Sequence, residues 1–391
     1  MAAPLVIVGS GLAGYTLARE WRKLNATTPL VVVSRDEAGF YSKPMLSNAL
    51  AGGKTPSALV MKGAAQMAAD LKADVLPHTQ VVAVDAVART VTLEGPTGRR
   101  CLHYGQLVLA LGADPIRLPI GGDAAARIRS VNDLDDFAAF MAEIEGAQRV
   151  AILGAGLIGC EFANDLLARS IQPTVIDPAP APLGRLLPPE AGTYLKQRLA
   201  DAGITFLHGV SAERVDADPN GGLALTLTDG SRVQADAVLC AVGLRPRVSL
   251  AQAAGVMTAR GVLTDRFLRT TVEGVFALGD CVELQHEGQG HVLPFVMPLM
   301  QQARALAATV AGTPTPVVYP AMPVTLKTPA CPTVVCPPPP AATVQWSTES
   351  LEGGCAAMAH GADGALLGFA LMGSATSRKQ ELAKSLPPLM G

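Results

Sequence analysis

A chain of 391 residues is long enough for two or three domains. Its formal net charge is −2, no basic run occurs, and aromatic residues make up only 4 %, which argues against nucleic acid as a partner. No stretch of about 18 uninterrupted apolar residues exists, so no membrane span is expected; the N-terminus enters a strand without a basic leader, so the expected location is the cytoplasm.

The first apolar run, Leu5 to Val8, leads straight into Gly9-Ser10-Gly11-Leu12-Ala13-Gly14 and then a helix-like stretch. In a G-x-G-x-x-G pattern each glycine has its own physical reason. The first permits the tight strand-to-helix turn, the second lets a pyrophosphate approach bare backbone, and the third lets helix and strand pack closely. The helix N-terminus then offers free N–H groups to the phosphates. The next strand, 30–33, ends in Ser34, Arg35 and Asp36. An acidic residue at this strand end ordinarily holds a ribose; aligned through the prolines, Val33 or Ser34 takes that position, not Asp36. Arg35 is suited to stack on or bond an adenosine.

Residues 40–47 read as a loop and 58–72 as a helix. Residues 75–76 and 81–84 read as short strands, and 91–93 with 101–104 as an antiparallel hairpin. Residues 107–113 form a buried strand ending at glycine, and Pro115, Pro119 and Gly121-Gly122 mark a crossing into another domain. A helix over 134–144 leads to a second fingerprint, Gly154-Ala155-Gly156-Leu157-Ile158-Gly159, 145 residues after the first. Here the following strand does end in an acid. Asp177 lies about 20 residues beyond Gly156, where its carboxylate would bind a ribose and repel a 2′-phosphate, favouring NAD over NADP.

Residues 223–227 and 232–234 flank the Asp229-Gly230 turn as a hairpin, and the apolar run 237–242 ends at Gly243, echoing the first half. Another strand stops at Gly279-Asp280, and a helix over 298–311 begins at Pro298. A proline-rich passage through Pro337–Pro340 opens the last stretch, which holds a hairpin (356–358 with 365–372) and a helix near 375–385. Seven cysteines, an odd number, suggest free thiols; Cys331 and Cys336 have the spacing of a redox pair but lie among prolines, far from either fingerprint. Six histidines lack metal-ligand spacing, so no metal is expected.

Two fingerprints, then Leu109-Ala110-Leu111-Gly112-Ala113, Ala241-Val242-Gly243-Leu244-Arg245-Pro246 and Ala277-Leu278-Gly279-Asp280, occur in the order found in the pyridine-nucleotide-disulfide-oxidoreductase superfamily, which this chain resembles. The resemblance implies an α/β fold: two Rossmann-like dinucleotide-binding domains for FAD and NAD, glutathione-reductase-like, plus a small C-terminal α+β domain. The expected limits are 1–115 with 247–318 for FAD, 116–246 for NAD and 319–391 for the C-terminal domain. Tyr41-Ser42-Lys43-Pro44-Met45-Leu46-Ser47 stands where disulfide-using members carry Cys-x4-Cys. That is similar to the ferredoxin-, putidaredoxin- and rubredoxin-reductase branch, above all to the bacterial rubredoxin reductases of alkane oxidation. Residues 15–24, 154–165, 296–300 and 322–332 carry the same likeness.

The resemblance further implies site roles. Gly279 and Asp280 would bind the ribityl chain or pyrophosphate of FAD; a helix N-cap is the plain alternative for Asp280. Lys43 and Glu161, the latter taken to lie in the first turn after the second fingerprint, would form an ion pair near the flavin. Backbone N–H groups at Val296 would face its pyrimidine edge. Lys327 matches a flavin-contact position, and the backbone of Val81 an adenine contact. The implied activity is hydride transfer from NADH to FAD, then single electrons to rubredoxin, a small acidic iron protein; Arg245, Arg247, Arg266 and Arg269 are candidate guides for it. The alternatives are a ferredoxin reductase serving an oxygenase and a slowly turning flavin redox sensor.

Overall fold

The computed structural model describes residues 3–219, 221–339 and 342–390; Pro340, at the end of the proline run, and the outermost residues of the expected first and last domains lie outside them. The first sheet is parallel throughout. Its strand order is Val275–Ala277, Gln106–Leu109, Leu5–Val8, Leu30–Val33, Asp74–Leu76. The runs LVIV and LVVV are buried at every position, as befits parallel strands covered on both faces. The helices Leu12–Leu24 and Val296–Val310 pack against each other. The strand Val275–Ala277 reaches this sheet from far along the chain.

Between those visits the chain builds a second parallel sheet, ordered Thr205–His208, Gln172–Asp177, Arg149–Leu153, Ala237–Cys240, Ile128–Arg129. Each sheet carries a three-stranded antiparallel annex: Gln80–Asp85, Thr90–Gly95 and Gly98–His103 in the first, Ala212–Ala217, Leu223–Leu227 and Arg232–Ala235 in the second. The outward and return passages, Ala113–Pro115 and Leu244–Pro246, pair antiparallel. A third, antiparallel sheet follows: Val324–Leu326, Thr333–Cys336, Leu366–Gly373, Gly354–His360, Gln345–Leu351.

Several elements differ from the sequence expectation. The helix over 58–72 is two pieces, Pro56–Leu59 and Ala64–Leu71, because the backbone at Lys62 bridges to Phe40. The 40–47 loop winds into a 3-10 helix at Lys43–Asn48, with Pro44 in its first turn where no N–H is needed. The strand 107–113 ends at Leu109, and the helix placed at Pro298 starts at Val296. The helix Pro189–Asp201 and the edge strand Gln345–Leu351 were not anticipated.

One buried cluster joins all three layers. Leu46, Ala49 and Leu50 pack in it with Cys160, Phe162 and Leu166, and with Val335, Cys355, Ala357, Ala370 and Met372 of the third sheet.

Candidate functional site

The two fingerprints have the same construction. Gly9 and Gly154 have φ of +121° and +104°, a region open to glycine. A Cβ on Gly14 would run into the carbonyl oxygen of Gly9, and one on Gly159 into that of Gly154. The middle glycines differ: a Cβ on Gly11 or Gly156 would meet nothing within 4 Å. Those two residues are also the N-caps of Leu12–Leu24 and Leu157–Leu167, and no side chain caps either helix. Open space in front of uncapped N–H groups fits a pyrophosphate in both cradles.

Gly9 N donates to Val33 O and Gly154 N to Ile176 O, both at 2.8 Å, so Ser34 is the counterpart of Asp177. Ser34 Oγ lies 2.5 Å from Ser10 Oγ and donates to Asp36 Oδ1 at 2.6 Å; Asp36 Oδ1 also accepts from Ala38 N at 2.8 Å. Asp36 therefore brings an acid to the strand end through the Ser34 hydroxyl, a role the alignment passed over. Asp177 holds its position directly: Oδ2 accepts from Ala155 N and Oδ1 from Ala179 N, each at 2.7 Å. Arg35 is more than half exposed, its guanidinium 3.8 Å from Asp133 Oδ2. Val81 is buried at a bulge in the first antiparallel annex.

Gly279 has φ +82°, and a Cβ there would lie 2.9 Å from that of Ala13, so this turn packs on the first fingerprint helix. Its N–H donates to Gln302 Oε1 at 2.6 Å, and Gln302 Nε2 donates to Tyr319 Oη at 2.7 Å. Sequence reading missed Gln302; its only signal is an amide on the apolar face of a helix. Asp280 sits inside a 3-10 turn whose N-cap is Leu278, so it does not cap it.

Burial raises the Asp280 carboxyl above its ordinary range, with Lys43 and Arg247 pulling it back. Burial lowers the Lys43 ammonium, with Asp280 opposing and Arg247 adding to the effect. Neither side chain makes a hydrogen bond or ion pair among the described residues. Two half-buried charges with spare bonding capacity suit a polar ligand between them.

Arg247 was a candidate carrier guide, but its guanidinium is committed to the passage between sheets: Nε donates to Asp114 Oδ1 at 2.6 Å and Nη1 to Leu111 O at 2.9 Å. Gly243, φ +113°, stands at the same passage, its carbonyl accepting from Ile116 N. Arg269 lies over the Phe267 ring.

The expected Lys43–Glu161 ion pair is not formed. Glu161 lies in the second turn of its helix, not the first, and is 2 % exposed. Its partner is Lys327, with Nζ 2.7 Å from Oε2 and the backbone N–H 2.9 Å from Oε1. Ser47 Oγ also donates to Glu161 Oε2, at 2.5 Å. Lys327 Nζ donates further to Asn48 Oδ1 at 2.7 Å and to the Pro44 carbonyl, while Asn48 Nδ2 donates to Lys327 O at 2.9 Å. Lys327 wins because its backbone and side chain reach the carboxylate together, whereas the Lys43 amine is drawn by Asp280.

One helical turn on, Asp165 accepts from Leu50 N and Ala51 N, and Asn164 Oδ1 from Ala330 N. Segments from all three sheets thus close on one seam, beside a cavity of about 480 Å³ lined by Asn48, Asn164, Asp165 and Ala330. Val296 and Met297 are exposed at the uncapped start of the helix Val296–Val310.

Residues 3–307 match the family model described as pyridine nucleotide-disulphide oxidoreductase. The chain belongs to that family. Residues 316–386 of this oxidoreductase match a second model, rubredoxin binding C-terminal domain. It is 47 % identical over 387 residues to the rubredoxin-NAD(+) reductase of Alcanivorax borkumensis, covering 99 % of both chains. It is also 47 % identical to the enzyme of the same name from Acinetobacter baylyi, covering 99 % of this chain and 98 % of the other. Among solved structures, a ferredoxin reductase from Rhodopseudomonas palustris superposes with a TM-score of 0.88 at 25 % identity, over 99 % of this chain and 96 % of that one.

The chain is an FAD- and NAD(H)-dependent oxidoreductase. Unlike the family name, its own cysteines are free thiols. Cys331 and Cys336 pack in different clusters, the first beside Cys355 and the second in the outer layer of the third sheet. Burial pushes the Cys336 thiol up to about 11 and that of Cys160 up to about 12. Both are packing residues. No helix among the described residues is long and apolar enough to cross a membrane.

Proposed function

We propose that the chain acts as a cytoplasmic rubredoxin–NAD⁺ reductase, passing reducing equivalents from NADH through FAD to rubredoxin in the service of alkane hydroxylation. The FAD domain is 1–115 with 247–318, the NAD domain 116–246, and the carrier-binding domain 319–391. Bound FAD supplies the redox chemistry, accepting a hydride from NADH and releasing electrons one at a time.

The residues of the chain bind, orient and exclude water. Gly11 and Gly156 leave room for the two pyrophosphates. Ser34 with Asp36 holds the ribose of FAD, and Asp177 that of NADH. Asp280 and Lys43 would hold the flavin by their charges, and Val296 would offer it the free backbone N–H groups of an uncapped helix start. Glu161 and Lys327 tie the seam shut and would keep water from the bound cofactors.

The observation that carries this reading is the grip of Lys327 on Glu161, Asn48 and Pro44. It bolts the domain matched by the rubredoxin-binding family to the helix and loop of the two dinucleotide domains, so a carrier docked there would be held close to both cradles. The test is stopped-flow reduction of the purified flavoprotein by NADH and by NADPH, followed by oxidised rubredoxin or ferredoxin. Fast bleaching by NADH and reoxidation by rubredoxin are expected. Absence of fast bleaching overturns the enzyme reading. Reoxidation by ferredoxin alone favours a ferredoxin reductase, the second reading, which the likeness to the Rhodopseudomonas structure supports.

A further inference from the structure

Asp177 does not stand alone at its strand end. His208 closes the adjacent strand, Thr205–His208, and is its register partner in the parallel pairing. The imidazole Nδ1 lies 2.9 Å from the carbonyl oxygen of Ala179. A carbonyl can only accept, so Nδ1 carries the proton and donates it, which fixes the tautomer. Nε2 is then a bare acceptor, buried and without a partner among the described residues. The ring stacks on Phe206 with centroids 5.3 Å apart and planes 6° from parallel. Burial holds the imidazole below its ordinary pKa, Lys196 acts in the same sense, and the Ala179 carbonyl and Asp177 oppose. A neutral ring with a single donor is what this position requires.

That donor has one use. It holds the carbonyl of Ala179, whose own N–H donates to Asp177 Oδ1 at 2.7 Å. The second carboxylate oxygen accepts from Ala155 N, inside the fingerprint, and Gly209 N donates to the Asp177 carbonyl at 3.0 Å. The carboxylate is thus fixed from the cradle on one side. On the other it is fixed by a short turn, and the His208 side chain holds the far side of that turn through the Ala179 carbonyl. Both carboxylate oxygens keep an unused lone pair for ribose hydroxyls.

We propose that His208 is a specificity-determining positioning residue: it locks the Asp177–Ala179 turn so that the carboxylate stays aimed at the ribose, which selects NADH over its 2′-phosphorylated counterpart. The proposal rests on reading the Gly154–Gly159 cradle as the NADH site. Release of the turn acts on the two cofactors in opposite senses. NADH loses a fixed acceptor for its hydroxyls, whereas NADPH escapes a negative charge held against its phosphate. The reacting ring lies at the far end of the cofactor, so turnover at saturating NADH is governed elsewhere.

The test compares His208→Leu, which removes the donor, with His208→Asn, whose amide can still donate to the Ala179 carbonyl, and with Asp177→Ala. Each FAD-loaded variant is assayed with NADH and NADPH. His208→Leu is expected to lower the NADH-to-NADPH ratio of kcat/KM by roughly five-fold, the equivalent of one ordinary hydrogen bond. The loss should fall mainly in KM, with kcat for NADH within about two-fold, and His208→Asn should restore the ratio. Should His208→Leu not fold, His208→Phe keeps ring and stack without the donor and gives the same comparison. A ratio that falls in Asp177→Ala but not in the donor-less His208 variant overturns the role of His208 alone. A ratio unmoved in Asp177→Ala overturns the reading of the cradle, and the proposal with it.

Discussion

Gly156 and Gly159 stand three residues apart in one turn and are needed for different reasons. A methyl on Gly156 meets no protein atom within 4 Å, so Gly156→Ala should unfold at the wild-type temperature yet, with NADH in that cradle as proposed, raise the KM for NADH about ten-fold. A methyl on Gly159 strikes the Gly154 carbonyl, so Gly159→Ala should lose roughly 1–3 kcal/mol of stability, measured by urea unfolding, before any effect on binding is counted. Glu161 offers a second contrast. Lys327→Met strands a buried carboxylate and should cost about 3 kcal/mol, while Glu161→Gln combined with Lys327→Met should cost less than the two single changes summed. Equal and additive losses in the unfolding series would mean that the pair is not coupled.

At the scale of elements, the helix Leu157–Leu167 is the organising piece. Its first turn faces the cradle, and its helical period then puts Glu161, Asn164 and Asp165 on the side that meets the other two sheets. Asp165→Ala leaves the N–H groups of Leu50 and Ala51 without their acceptor. Amide exchange at both should accelerate, with a global loss of roughly 2–4 kcal/mol. Strands such as LVIV and LVVV were legible because burial on both faces demands an unbroken apolar run. The strand QWSTESL was not, because a mostly exposed edge carries no such run. The break at 60–63 was missed for another reason: the apolar spacing resumes at Ala64 after only Lys62 and Gly63, and the pairing of Lys62 with Phe40 is a tertiary contact. The same limit applies in the site. The glycines and Asp177 announce themselves through local spacing, whereas the partner of Glu161 sits 166 residues away, a choice made by tertiary packing.

For the whole molecule, the shared core means that the third sheet is no detachable appendage. Its residues Val335, Cys355, Ala370 and Met372 pack directly among those of the second cradle helix. Unfolding followed by flavin fluorescence and by far-ultraviolet circular dichroism should therefore coincide; separated transitions would show independent domains. The same burial sets thiol chemistry. Cys101 is exposed and the other six cysteines are buried, so a thiol reagent at pH 8 should label one group in the native protein and seven after denaturation. More than one fast-reacting thiol would contradict this packing.

The route of the chain has a consequence for its birth. The second sheet is complete within one continuous stretch, but the first waits for Val275–Ala277, and the seam waits longer still, for Lys327. A ribosome therefore releases the segments of the second sheet as a unit able to fold, while the first is still an open sheet with an unpaired edge along Gln106–Leu109. With FAD in the first cradle, as proposed, flavin capture comes late in synthesis or after it. A nascent chain stalled before residue 275 should bind NADH-like ligands sooner than it binds FAD, and cells short of flavin should accumulate a protein whose oldest residues are the last to settle.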